Sequence, residues 1–278
     1  MTHRESAGNR GSRRRPRSAK DRQGYIILGA IVAAAVAILS MTAYLKHSRP
    51  VYGPDQCEVE SATNPRRKPV PQTVVLLDQS ERLSESQRGF VQQTLEELIA
   101  QMGRGERLLF FTFSRDEFQS LKARLALCKP QDSANPLYET EIKIRSHLRT
   151  KFIKPVLEMG AATSAEEVGT SSPILEALHA LSHSGDLEVW DTPYRMILIS
   201  DLLQHSATYS QYRGPPDYPA WKRRDGGNLA AAFANWNLDV IYLERMKDAS
   251  LQGNPHREFW QQYFYDAGAH IKTWRPVP

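Results

Sequence analysis

Hydrophobic positions fall into two regimes along the chain. Residues 24–45, from Gly24 to Leu45, carry no charge. A helix of that length rises about 30 Å, enough to cross the hydrocarbon of a bilayer. Tyr25 and Tyr44 stand near its two ends, where interfacial aromatics belong. Beyond residue 72 the pattern breaks into short runs. Thr73-Val74-Val75-Leu76-Leu77 is apolar on both faces and ends in Asp78-Gln79-Ser80, which predicts a central parallel strand. Arg107–Phe113, Arg195–Ser200 and Leu238–Leu243 read the same way, and Ala269–Thr273 predicts a short last strand.

Helical spacing fills the gaps. Ser84-Glu85-Ser86-Gln87 is a capping-box pattern opening a helix that ends at Met102-Gly103. Residues 137–159 read as a helix that Pro155 should kink or divide. Further helices are expected over 173–183, from Gly227-Asn228 through Trp236, and over 255–267. Leu121–Cys128 alternates apolar and polar, as an edge strand does. Its connection from Phe113 is too short for a parallel crossover, so the two strands should pair antiparallel. The sum is a three-layer α/β/α open sheet, mostly parallel with one antiparallel edge strand, preceded by one transmembrane helix.

Charge settles orientation more than chemistry. The net charge is +5, but residues 1–22 hold Arg4, Arg10, Arg13, Arg14, Arg15, Arg17, Lys20 and Arg22 against Glu5 and Asp21. By the positive-inside rule this block is cytoplasmic and the C-terminal part lies on the periplasmic or extracellular side. The apolar stretch exceeds a signal peptide's usual core, so an uncleaved anchor is expected. The expected organisation is a basic tail over 1–23, an anchor over 24–45, a Pro-rich stalk over 46–71 and a domain over 72–278. Topology accounts for the arginine block without nucleic acid.

Candidate chemistry collects at strand ends. Asp78 and Ser80 follow the first strand, Gly169-Thr170-Ser171-Ser172 precedes a helix, and Ser200-Asp201 closes another strand. With the order of elements over 72–275, these motifs resemble the metal-ion-dependent adhesion site of the von Willebrand factor type A family. The resemblance implies a Mg²⁺ or Mn²⁺ held by Asp78, Ser80, Thr170 and Asp201, oxygen donors that a hard cation prefers. It also implies an acidic group from a partner completing the coordination. One position departs from the pattern: Arg82 stands where the family has Ser. Arg82 could take the metal's place as a fixed cation beside Asp78 or Asp201, or Ser84 could substitute as ligand. As a third reading, these residues simply cap strand ends and helices.

The insert 203–227 follows Asp201. Tyr209, Tyr212, Tyr218 and Trp221, interleaved with Arg213 and Arg223, have the composition of a protein-binding surface; the competing reading is a loop whose aromatics cover the sheet edge. Glu176, His179 and His183 share a helix face but lack the metalloprotease arrangement, so surface histidines are expected. Cys57 and Cys128 would pair outside the cytoplasm, or remain two buried thiols. No catalytic motif occurs. The expected role is non-enzymatic, binding a protein partner of the cell envelope. A metal-dependent hydrolase and a structural subunit with a degenerate site are the competing classes.

Overall fold

Every residue of β1 (Gln72–Asp78) is buried, and its neighbours explain why. It lies between β2 (Arg107–Phe113) and β4 (Tyr194–Ser200), parallel to both. Beyond β2 runs β3 (Leu125–Cys128), antiparallel; beyond β4 come β5 (Trp236–Leu243) and β6 (His270–Val277), parallel. The sheet order is β3-β2-β1-β4-β5-β6. The fold is therefore the expected mixed α/β sheet with one antiparallel edge. The computed structural model describes residues 19–47, 51–59, 69–114, 121–134, 139–165, 171–188 and 193–278.

The two-residue period of the strands divides the core. Val74 and Leu76 face one side, with Phe111, Leu198 and the helices α5 (Ile174–Ser182) and α8 (Asn254–Asp266). Val75 and Leu77 face the other, with Phe110, Ile199 and the helix α2 (Glu85–Gln101). Ser84 Oγ accepts from the Gln87 N–H at 3.1 Å, and Gln87 Oε1 accepts from the Ser84 N–H at 3.2 Å, completing the capping box. At the other end of α2, the buried Lys129 Nζ donates to the carbonyls of Ile99 (3.0 Å) and Met102 (2.7 Å), a cation where the helix dipole favours one. Ser84→Ala should cost about 1 kcal/mol, read as a lower denaturant midpoint at unchanged slope.

Three expectations are corrected. Pro155 does not divide its helix. Helix α3 (Glu141–Leu148) runs into α4 (Lys154–Ala165) through a wider turn over Arg149–Ile153, where the Lys154 N–H reaches the Arg149 carbonyl. That i→i+5 turn takes up the proline without a break. Second, the helix expected from Gly227-Asn228 through Trp236 forms at its start but ends at Leu229. A short helix α6 (Tyr218–Arg224) precedes this α7 (Gly226–Leu229), and Trp236 opens β5 with its ring stacked on Tyr194 at 4.6 Å. Asn235, at φ 67°, makes the turn into that strand.

Third, the compact unit begins before residue 72. Residues 51–59 fold onto it: Tyr52 pairs with Glu58, the Cys128 N–H donates to the Asp55 carbonyl at 2.9 Å, and Cys57 is bonded to Cys128. This segment covers the end of the outer edge of β3. Helix α1 (Ala19–His47) is a unit by itself, exposed over Arg22–Tyr44, and among the described residues it alone is long and apolar enough to cross a membrane.

Candidate functional site

The chain leaves β1 toward β2 on one side and reaches β4 on the other, so the strand order reverses between β1 and β4. In open α/β sheets a crevice opens at such a point, beyond the carboxyl ends of the strands. A cleft of about 620 Å³ lies there, its lining including Ser80, Arg82, Ser171, Asp201, Tyr212 and Lys247.

The carboxylates of Asp78 and Asp201 are both buried; Asp201 lines the cleft, and Asp78 lies behind the lining residues Ser80 and Ser172. Asp78 Oδ1 accepts from the Ser80 N–H at 2.9 Å. Its Oδ2 accepts from the hydroxyls of Ser172 (3.1 Å) and Ser200 (2.8 Å). Burial pushes the Asp78 carboxyl up, against the pull of these hydrogen bonds. Asp201 Oδ1 accepts from the Leu203 N–H at 2.9 Å, and Oδ2 pairs with Arg245 Nε at 2.8 Å. Burial, and after it the charge of Asp78, pushes Asp201 up to about 7; Arg245 opposes the shift.

Leu202 then takes φ 59°, a conformation that costs a non-glycine residue about 1–3 kcal/mol. Two donors fix its carbonyl: His256 Nε2 and Trp260 Nε1, each at 2.8 Å. The backbone beside Asp201 is thus held from α8.

The structure brings together Asp78, Ser80 and Asp201. Thr170 lies outside the described residues. Ser172, from the same sequence motif, supplies the hydroxyl at Asp78, and its backbone is bonded in both directions to His205. The cation at the carboxylates is not where the sequence suggested it. Arg82 is exposed, and only its carbonyl reaches inward, accepting from Arg245 Nη1 at 3.2 Å. Arg245 sits just past β5, a third central strand, so the rule that functional groups gather at strand ends could have found it. Ser200 was legible by the same rule.

These residues do not fit a divalent metal. With Arg245 in place there is no room for a second cation, because its buried guanidinium holds Asp201 Oδ2 at 2.8 Å. On α5, the buried Glu176 accepts instead from Gln204 and Thr208, and His179 Nδ1 bonds the Ala230 carbonyl.

The insert corrects a further expectation. Trp221 and Tyr218 are buried, packed on Phe259 at 5.7 and 5.5 Å between ring centroids, and Tyr218 donates to Asp266. Tyr209, partly buried, stacks on Phe259 at 5.6 Å. These three rings complete the core over α8. Tyr212, Arg213 and Arg223 remain exposed. Tyr212, which lines the cleft, is 43% exposed, and Met246, next in the chain to the lining residue Lys247, is 97% exposed; a lone methionine has no sequence pattern to mark it.

No family model matches the sequence, and no curated protein does. Among solved structures, an aerotolerance-related membrane protein from Bacteroides fragilis is 13% identical with a TM-score of 0.37, over 74% of this chain and 90% of that one. The conserved hypothetical protein BatB from Bacteroides thetaiotaomicron is 13% identical with a TM-score of 0.39 over the same shares. The human COPII-coat protein Sec24c is 12% identical with a TM-score of 0.33, over 74% of this chain and 30% of that one. At these TM-scores the likenesses carry no functional argument.

Proposed function

We propose that the chain is a single-pass membrane protein whose α/β domain, outside the cytoplasm, binds a protein partner of the cell envelope at the rim of the β1/β4 crevice. The arginine block before the apolar helix supports the orientation, and the Cys57–Cys128 disulfide suits an oxidising compartment. The observation that carries the interaction reading is the rim itself. Met246 and Tyr212 are exposed beside a polar cleft that Arg82 also lines, and Met, Tyr and Arg are the residue types enriched where proteins meet.

The test is photocrosslinking in native membranes, with the reactive residue placed at 246, at 212, or at the distant exposed Tyr265. One discrete adduct from 246 and 212, absent from 265, is expected. Met246→Ala combined with Tyr212→Ala should weaken capture of that partner by about tenfold or more, the scale of interface anchors. Equal labelling from 265, or none from the rim, would remove the basis of the reading.

A further inference from the structure

Arg245 is 9% exposed, yet its guanidinium joins groups from three parts of the chain. Its Nε donates to Asp201 Oδ2 at 2.8 Å and lies 3.5 Å from Glu81 Oε2. Its Nη1 donates to the Arg82 carbonyl at 3.2 Å and to Gln87 Oε1 at 3.4 Å. Its own backbone N–H donates to Gln252 Oε1 at 2.7 Å, while Gln252 Nε2 donates to the carbonyls of Asp201 (3.0 Å) and Leu243 (2.9 Å). The end of β4, the loop from β1 to α2, and the segment after β5 are therefore tied at one cation.

Two buried carboxylates beside serine hydroxyls are the hard-oxygen chemistry that divalent cations favour. A fixed positive charge among them excludes a second one, since the Asp201 oxygen is taken and the repulsion acts in a site with little water to screen it. We infer that Arg245 is the crevice's built-in cation, closing a latent divalent-metal site and locking the three loops in its place. The side chain tethers the loops by itself, so they hold their geometry whatever the ionic composition around the domain. If the recognition reading above is right, partner capture is then indifferent to divalent ions and chelators. The assignment itself stands apart from that reading.

The experiment is Mn²⁺ titration of the full chain in detergent, followed by the electron paramagnetic resonance signal of free Mn²⁺. Wild type and Arg245→Lys should leave millimolar Mn²⁺ free. Arg245→Ser should bind at least tenfold more tightly than wild type, and adding Asp201→Asn should abolish the gain. Arg245→Ser binding no better than wild type would overturn the assignment, as would wild-type binding that Asp201→Asn removes. Should Arg245→Ser fail to fold, the wild type decides: no Mn²⁺ bound at millimolar concentration supports the closed site, and Asp201-dependent binding defeats it. No partner enters the assay, so its result is separable from that of the crosslinking.

Discussion

Replacing Cys57 and Cys128 together by serine is expected to lower stability by about 4 kcal/mol, because their bond closes a long loop in the unfolded chain. The two residues are 71 positions apart, and both sulfurs are buried against the sheet edge. For a domain of this size the melting temperature should fall by roughly 8–16 °C. The loss should also be uneven. Residues 51–59 keep, without the bond, a few hydrogen bonds to the domain: the Cys128 N–H to Asp55 carbonyl bond at 2.9 Å, the Arg104 to Tyr52 hydroxyl bond at 3.1 Å and the His147 to Gln56 side-chain bond at 2.8 Å among them. Limited proteolysis should cut there first, exposing the outer edge of β3. A melt shifted by less than the equivalent of about 1 kcal/mol would mean that these contacts, not the covalent link, hold the segment.

That segment shows what the sequence could and could not say. Proline density and charge made residues 46–71 read as a stalk, and local composition contains nothing to contradict that. What folds 51–59 is a bond to a residue 71 positions away and a free strand edge to cover. The central strands were legible for the opposite reason. A strand buried on both faces must be apolar at every position, and Val74–Leu77 and Met196–Ile199 are. The capping box was legible because its partners are three residues apart.

The crevice was half legible. Asp78 and Asp201 end apolar runs, so chain order alone placed them at one edge of the sheet. Their cation was not, because Arg82 and Arg245 are the same residue type at similar distances past a strand. Only the packing shows one turned to solvent and the other buried. The aromatics of 203–227 failed for a related reason: interface and core share a composition, and the space over Phe259 decided for core.

Acidification is expected to weaken the fold through His256. The ring is wholly buried on α8, with Nε2–H donating to the Leu202 carbonyl at 2.8 Å and Nδ1 accepting from the Tyr242 hydroxyl at 3.0 Å. The carbonyl can only accept, so the neutral ring carries its proton on Nε2 and both nitrogens are satisfied. Burial pushes its pKa down to about 4 from the ordinary 6.5. The unfolded chain therefore takes up a proton that the native chain refuses. Stability from this group is complete above pH 6.5 and is lost as pH falls through 4, by about 3.5 kcal/mol in all at about 1.4 kcal/mol per unit, of which about 3 kcal/mol is gone by pH 4. Asp201, pushed up to about 7, acts in the opposite sense: its native carboxyl keeps a proton that the unfolded chain releases, so its contribution declines as pH rises toward 7. The two trends partly cancel in the wild type, and a single curve would mislead. The measurement is denaturant unfolding of wild type and His256→Gln across this range, read as a difference. Wild type should lose about 3 kcal/mol relative to the variant between neutral pH and pH 4, while parallel curves would show that the ring does not resist protonation. Protonation at Nδ1 leaves the Nε2–H bond to Leu202 intact and strips the Tyr242 hydroxyl of its acceptor. The cost thus falls on the core between β5 and α8, while the strained backbone beside Asp201 keeps both of its donors.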